Sequence, residues 1–295
     1  MDINTFRQLY YVCKDSKKPI YQAAIDYEVS QGEFTETQIR FQAKKSLDAM
    51  KKAIAKGLKS TEPSPSKMSG DDCDKLQKRF NKNDCLLGKT AEKILTYALA
   101  TSEQNLRMGT IVACPTAGSC GIVPSVLAAF AEDNKISEEE QINALITAGA
   151  VGKLVSNKMA LAGAVGGCQA ECGVASAMAA AALTQMRGGN VKQIINASAL
   201  ALKNIMGLTC DPVCGLVEIP CVKRNPFLAI HAVTASELAM ADIISKIPID
   251  EVIDAMEQTG KLMSPLLKES SQGGLAKTKT ALILEKNIMK KLDNC

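Results

Sequence analysis

The chain has 295 residues, a formal charge of +4, one His, no Trp and few other aromatics; Ala, Gly, Met and eleven Cys make up much of the apolar share. That length allows one large domain or two modest ones. The basic excess lacks interleaved aromatics, which argues against a nucleic-acid surface, and the longest small-apolar run, Cys172–Leu183, is too short for a bilayer span of about 20 residues.

Residues 1–19 hold no apolar stretch of signal-peptide length and read as an amphipathic helix, so a cytoplasmic protein is expected. Residues 3–58 read as two or three polar helices, one of them carried by Ile39, Ala43, Leu47, Met50 and Ile54 at helical spacing. Lysines recur from Lys44 to Lys82, as on a solvated helix face. The stretch from Thr61 to Asp72, with Pro63, Pro65 and three serines, has the composition of a linker. A helix is expected over 89–105. A strand-like run then leads from Gly109 into the Gly/Thr/Ser-rich loop 115–121. Further helices are expected over 124–133, 138–156, 171–187, 191–206, 226–246, 249–263 and 279–292, with glycine turns at 163–167, 188–189, 207–215 and 273–274. The expected class is mainly α: a compact multi-helix catalytic domain with Gly-rich loops and a helical N-terminal extension. Its divisions are 1–60, a linker at 61–74, and 75–295.

An odd number of cysteines in a reducing compartment does not make a disulfide framework. Cys168 follows Gly166-Gly167 at a helix start. Cys210 and Cys214 lie in a turn, and Cys221 follows Pro220, with Lys223 and Arg224 close behind. Such loops offer the amides and cations that a thiolate needs. Structural zinc is one reading, since Cys168/Cys172 and Cys210/Cys214 loosely resemble paired ligands. An iron–sulfur cluster is another. Burial as small hydrophobes is the third, and the favoured one for Cys13, Cys73, Cys85 and Cys114. Spacing alone does not choose among them.

Four segments resemble the α chain of the iron–sulfur-dependent bacterial L-serine dehydratases: 108–124 (MGTIVACPTAGSCGIVP), 166–173 (GGCQAECG), 204–225 (NIMGLTCDPVCGLVEIPCVKRN) and 269–276 (ESSQGGLA). The resemblance implies a 4Fe-4S cluster on Cys168, Cys210 and Cys221, with Cys120, Cys172 and Cys214 as non-ligands. It implies deamination of L-serine to pyruvate and ammonia without pyridoxal phosphate, and an oligomer with a separate β subunit carrying an ACT-like domain. By the same resemblance, the C-terminal Cys295 is a candidate fourth ligand that substrate displaces. Where many relatives read Ser-Ile-Ser-Gly, this chain reads Ala160-Leu-Ala-Gly163, which bears on substrate preference.

Within that frame the loop 115–121 is the expected substrate anchor, through Thr116, Gly118, Ser119 and Gly121, with the next helix directing its positive end at a carboxylate. Arg224 is a second carboxylate partner. Glu171 and Lys223 are the candidate catalytic groups. His231, inside an expected helix, reads as packed or surface. Two alternatives stand beside the dehydratase: an L-cysteine desulfidase using the same cluster, and an iron–sulfur redox sensor.

Overall fold

The computed structural model describes residues 3–81 and 85–292. Among these there is no strand, and the one β-bridge is an isolated parallel pair, Cys210 with Lys268. The helices are α1 (Phe6–Ser16), α2 (Ile20–Ser30), α3 (Glu36–Gly57), α4 (Asp72–Phe80), α5 (Lys89–Leu106), α6 (Ile122–Asn134), α7 (Glu138–Ser156), α8 (Gly163–Gly166), α9 (Val174–Met186), α10 (Val191–Lys203), α11 (Cys221–Met240), α12 (Ile249–Leu262) and α13 (Lys279–Leu292). No helix among the described residues is long and apolar enough to cross a membrane.

Local sequence accounts for several starts. Thr5 with Gln8, Thr35 with Gln38, Ser137 with Glu140 and Asn190 with Gln193 each form a reciprocal capping box, pairing backbone amides that the helix itself cannot. The centre of the fold is α9. Its residues from Val174 to Thr184 are all buried, and a helix apolar on every side belongs inside a core. Its alanines let α6, α7, α10 and α11 pack close around it. The N-terminal helices join the same core: Phe6, Leu9, Ile20, Leu47 and Met50 belong to one buried apolar cluster with the α9 residues.

Two regions differ from the sequence expectation. Residues 109–113 form no strand, because nothing in the described chain offers them a ladder. Helix α11 begins at Cys221 and not at Pro226; the proline falls in the helix's second turn, where it cannot donate to Val222. The Asn225 side chain donates to the Cys221 carbonyl at 3.0 Å and helps hold that turn.

Candidate metal centre

The glycine-rich turn before Cys168 is the short helix α8. A π-helical turn, Gln169–Gly173, connects Cys168 to α9. Such wide turns are rare and concentrate at functional sites. Here the turn lets Cys168, Glu171 and Cys172 face one locus. Gln169, fully buried, ties the turn down: its amide nitrogen donates to the Met256 carbonyl at 3.0 Å, and its oxygen accepts from Gly207 N at 2.9 Å.

Cys210 comes from the loop after α10. Its backbone is held on both sides by the C-terminal segment, with Cys210 N donating to Leu267 O at 2.8 Å and Glu269 N to Cys210 O at 2.6 Å. Cys221 is the first residue of α11. Sulfur of Cys168, sulfur of Cys210 and a carboxylate oxygen of Glu171 all lie within 4.8 Å of one another, a grouping able to hold a metal ion. Cys172 also reaches Cys168.

Electrostatics single out Cys168. Hydrogen bonds from the Cys172 and Cys210 thiols, then the adjacent Arg224 guanidinium, hold it well below the ordinary thiol range. Arg224 Nη1 donates to Cys168 Sγ at 3.1 Å and to Thr209 O at 2.9 Å, while Nη2 donates to Asp211 Oδ1 at 2.8 Å. Cys210 is pushed up, first by its hydrogen bond to Cys168 and then by burial. Cys172 is pushed up likewise, and Cys221 is raised to about 12, chiefly by burial and then by the charges of Cys168 and Glu171. Glu171 is pushed up to about 7 by burial, against a hydrogen bond from Thr116.

The 115–121 loop packs against this group. Thr116 Oγ1 donates to Glu171 Oε1 and lies 3.1 Å from Ser119 Oγ. Ser119 is fully buried and bonds within its own loop, to the Cys114 and Thr116 carbonyls. Gly121 N donates to Asn225 Oδ1 at 2.9 Å, and Asn225 Nδ2 donates to Gly118 O at 2.8 Å. Two glycines keep the site open. A Cβ on Gly118 would overlap Glu171 Oε1, and one on Gly163 would lie 2.9 Å from Cys210 Sγ and 3.0 Å from Glu171 Oε2.

The structure therefore gathers Thr116, Gly118, Ser119, Glu171 and Arg224 around Cys168 and Cys210, with Cys221 within electrostatic reach. Gly121 stands at the loop's far end, its amide already paired with Asn225. Lys223 is not drawn in: its ammonium pairs with Asp72 at 2.5 Å. His231 donates to the Ala201 carbonyl from α11, at 2.9 Å. Cys295 lies outside the described residues. Sequence reasoning missed Asn225, whose one signal was its i+4 spacing from Cys221; the contact of Cys168 with Cys172 follows from their i, i+4 spacing at a helix start.

The donor set suits an iron–sulfur cluster on chemical grounds. Buried thiols beside a guanidinium are soft ligands with their charge compensated. The space beside Gly163 is one that a methyl group would fill.

The serine dehydratase alpha chain family profile matches residues 15–276. The chain is 45% identical over 282 residues to a Bacillus subtilis protein named probable L-serine dehydratase, alpha chain, covering 96% of this chain and 94% of that one. It is 37% identical over 291 residues to the L-serine dehydratase, alpha chain, of Peptoniphilus asaccharolyticus, covering 99% and 100%. A shorter match, 44% over 182 residues, joins 61% of this chain to 40% of an Escherichia coli L-serine dehydratase.

Proposed function

The chain belongs to the serine dehydratase alpha chain family, and from that premise we propose that it is the catalytic α subunit of an L-serine dehydratase. The reaction eliminates water across the α and β carbons of L-serine. The enamine so formed tautomerises and hydrolyses to pyruvate and ammonia. We assign a 4Fe-4S cluster to Cys168, Cys210 and Cys221, with Cys295 as the displaceable fourth ligand. The observation that carries this reading is the meeting of Cys168, Cys210 and Glu171 within 4.8 Å, beside Arg224. When bound, the cluster supplies a Lewis acid at the iron that lacks a thiolate.

The chain's own residues do the rest. Arg224 compensates the negative charge of Cys168 and, through Asp211, fixes the loop that carries Cys210. Cys172 is a thiol donor to Cys168; we leave it out of the ligand set on the family resemblance, since its burial matches that of Cys168. Glu171 holds a proton at its carboxylate, aimed by Thr116, and exchanges it with substrate. Thr116 and Gly118 shape the substrate side, while Ser119 and Gly121 hold the loop's form through bonds within it and to Asn225. Gly118 and Gly163, lacking a Cβ, let their backbones approach Glu171 and Cys210 closely.

The alpha-chain naming of its relatives implies a separate β subunit. We propose that this partner carries an ACT-like domain, that the two chains form an oligomer, and that they act in the cytoplasm. We propose that 61–74 divides the N-terminal helices from the catalytic region in sequence, although the two share one buried core. Anaerobic co-expression of the two chains, followed by a pyruvate assay over several amino acids, tests the reading. Pyruvate from L-serine is expected. Turnover of L-cysteine alone favours the desulfidase, and iron without any turnover favours a sensor.

A further inference from the structure

The segment from Ser60 to Cys73 has the composition of a linker, yet it is fastened tightly. Arg107 donates to the carbonyls of Glu62 at 2.7 Å, of Ser60 at 3.4 Å and of Gly70. Fully buried Glu103 accepts from Asp72 N at 2.7 Å and from Cys73 N at 3.2 Å. So anchored, the segment presents two serines to a carboxylate that comes from the cysteine loops. Ser64 Oγ donates to Glu218 Oε2 at 2.9 Å, and Ser66 Oγ lies 2.8 Å from both Glu218 oxygens.

Glu218 is only 5% exposed and Ser64 only 2%. Burying a carboxylate is costly unless its oxygens are paired. The hydroxyls of Ser64 and Ser66 supply that pairing to both Glu218 oxygens. The backbone of Glu218 is engaged too: its carbonyl accepts from Val222 N at 3.0 Å, in the first turn of α11. Five residues on, Lys223 pairs with Asp72 at the other end of the same segment. Cys221 lies between these two attachments. Neither Glu218 nor Lys223 is among the groups that touch Cys168.

We propose that the Ser64-Pro65-Ser66 turn and Asp72 form a clamp that positions Cys221 by holding Glu218 and Lys223 on either side of it. These are positioning residues, and their relevance to catalysis rests on the cluster reading given above. The clamp explains why Lys223, two residues after Cys221, is turned to α4. It also braces the loop from Val213 to Pro220, which separates Cys210 from Cys221. Its closing bond, Val213 N to Ile219 O at 2.8 Å, is reinforced from outside by the serines.

The test uses the Ser64→Ala/Ser66→Ala double variant with Glu218→Gln as the conservative partner. Two readouts are taken: the rate of iron loss to a chelator from anaerobically purified protein, and, after iron removal, the alkylation rate of each cysteine followed by mass spectrometry. Loss of two buried hydrogen bonds should speed iron loss by about tenfold and alkylation of Cys221 by about fivefold or more. Cys13 and Cys114 should react at unchanged rates, and Glu218→Gln should fall between wild type and the double variant. Unchanged alkylation of Cys221, or equal acceleration at every cysteine, would overturn the clamp. Wild-type protein that holds no iron would sink the cluster reading, while the alkylation rates would still decide the clamp.

Discussion

Two sets of cysteines in this molecule are buried almost equally and differ in what surrounds them. Cys13, Cys73 and Cys114 are 2%, 0% and 5% exposed; Cys168, Cys210 and Cys221 are 1%, 3% and 7% exposed. In the first set, packing is the main influence. Burial lifts Cys13 to about 11 and Cys73 and Cys114 to about 12, so they stay inert thiols. In the second set, Cys168 meets two further thiols and a guanidinium, and is held low. Exposure therefore does not separate the two sets. What separates them is whether polar groups converge on the sulfur, and that depends on loops, a π-helical turn and a helix N-terminus meeting at one place.

The contrast can be broken at the cation. Arg224→Met removes the charge beside Cys168 and leaves Asp211, its side chain 6% exposed, without its cation and, among the described residues, with only the Leu275 amide donating to it. Stranding a buried charge costs about 3–5 kcal/mol, so iron content should fall sharply and thermal unfolding should come earlier. Arg224→Lys keeps the charge but loses the fork, and should retain part of the iron.

Next in size is the carboxylate. Glu171→Gln keeps the shape and an acceptor for Thr116 but removes proton transfer. The expected loss in kcat is about 10²–10⁴-fold, with iron absorption unchanged. Full activity would remove Glu171 from the mechanism. Gly163→Ala tests the space at the sulfurs. Its methyl group would crowd Cys210 Sγ at 2.9 Å. Overpacking of this kind costs about 1–3 kcal/mol and should show as weaker iron retention, measured by chelator competition. The smallest effect belongs to the inert set. Cys13→Ala should lower stability by about 1 kcal/mol in urea unfolding and leave iron untouched.

Much of the helical scaffold was legible in the sequence, for identifiable reasons. The reciprocal caps at Ser137/Glu140 and Asn190/Gln193 mark helix starts locally, and both helices begin as expected. What stayed hidden depends on tertiary context. Nothing local says that Pro226 lies inside α11 and not at its start, or that Asn225 would pin the loop 118–121. The β-branched run at 110–112 reads as a strand, but a strand needs a partner, and the described chain has none for it. For the site, composition supplied the cysteines and the resemblance supplied an assignment among them. The nearness of Cys168 and Cys172 was legible in their i, i+4 spacing, but the π-helical turn that joins them to α9 was not. The linker-like composition of 61–70 likewise hid two serines that bind a buried carboxylate.

The central claim is that Cys168, Cys210 and Cys221 together hold a cluster that the other buried cysteines do not. Iron per chain and visible absorption, measured anaerobically for the wild type and for Cys168→Ala, Cys210→Ala and Cys221→Ala, test it most directly. The account predicts about four irons per wild-type chain and loss of iron and absorption in each variant. Full iron content in any one of the three would contradict the ligand set.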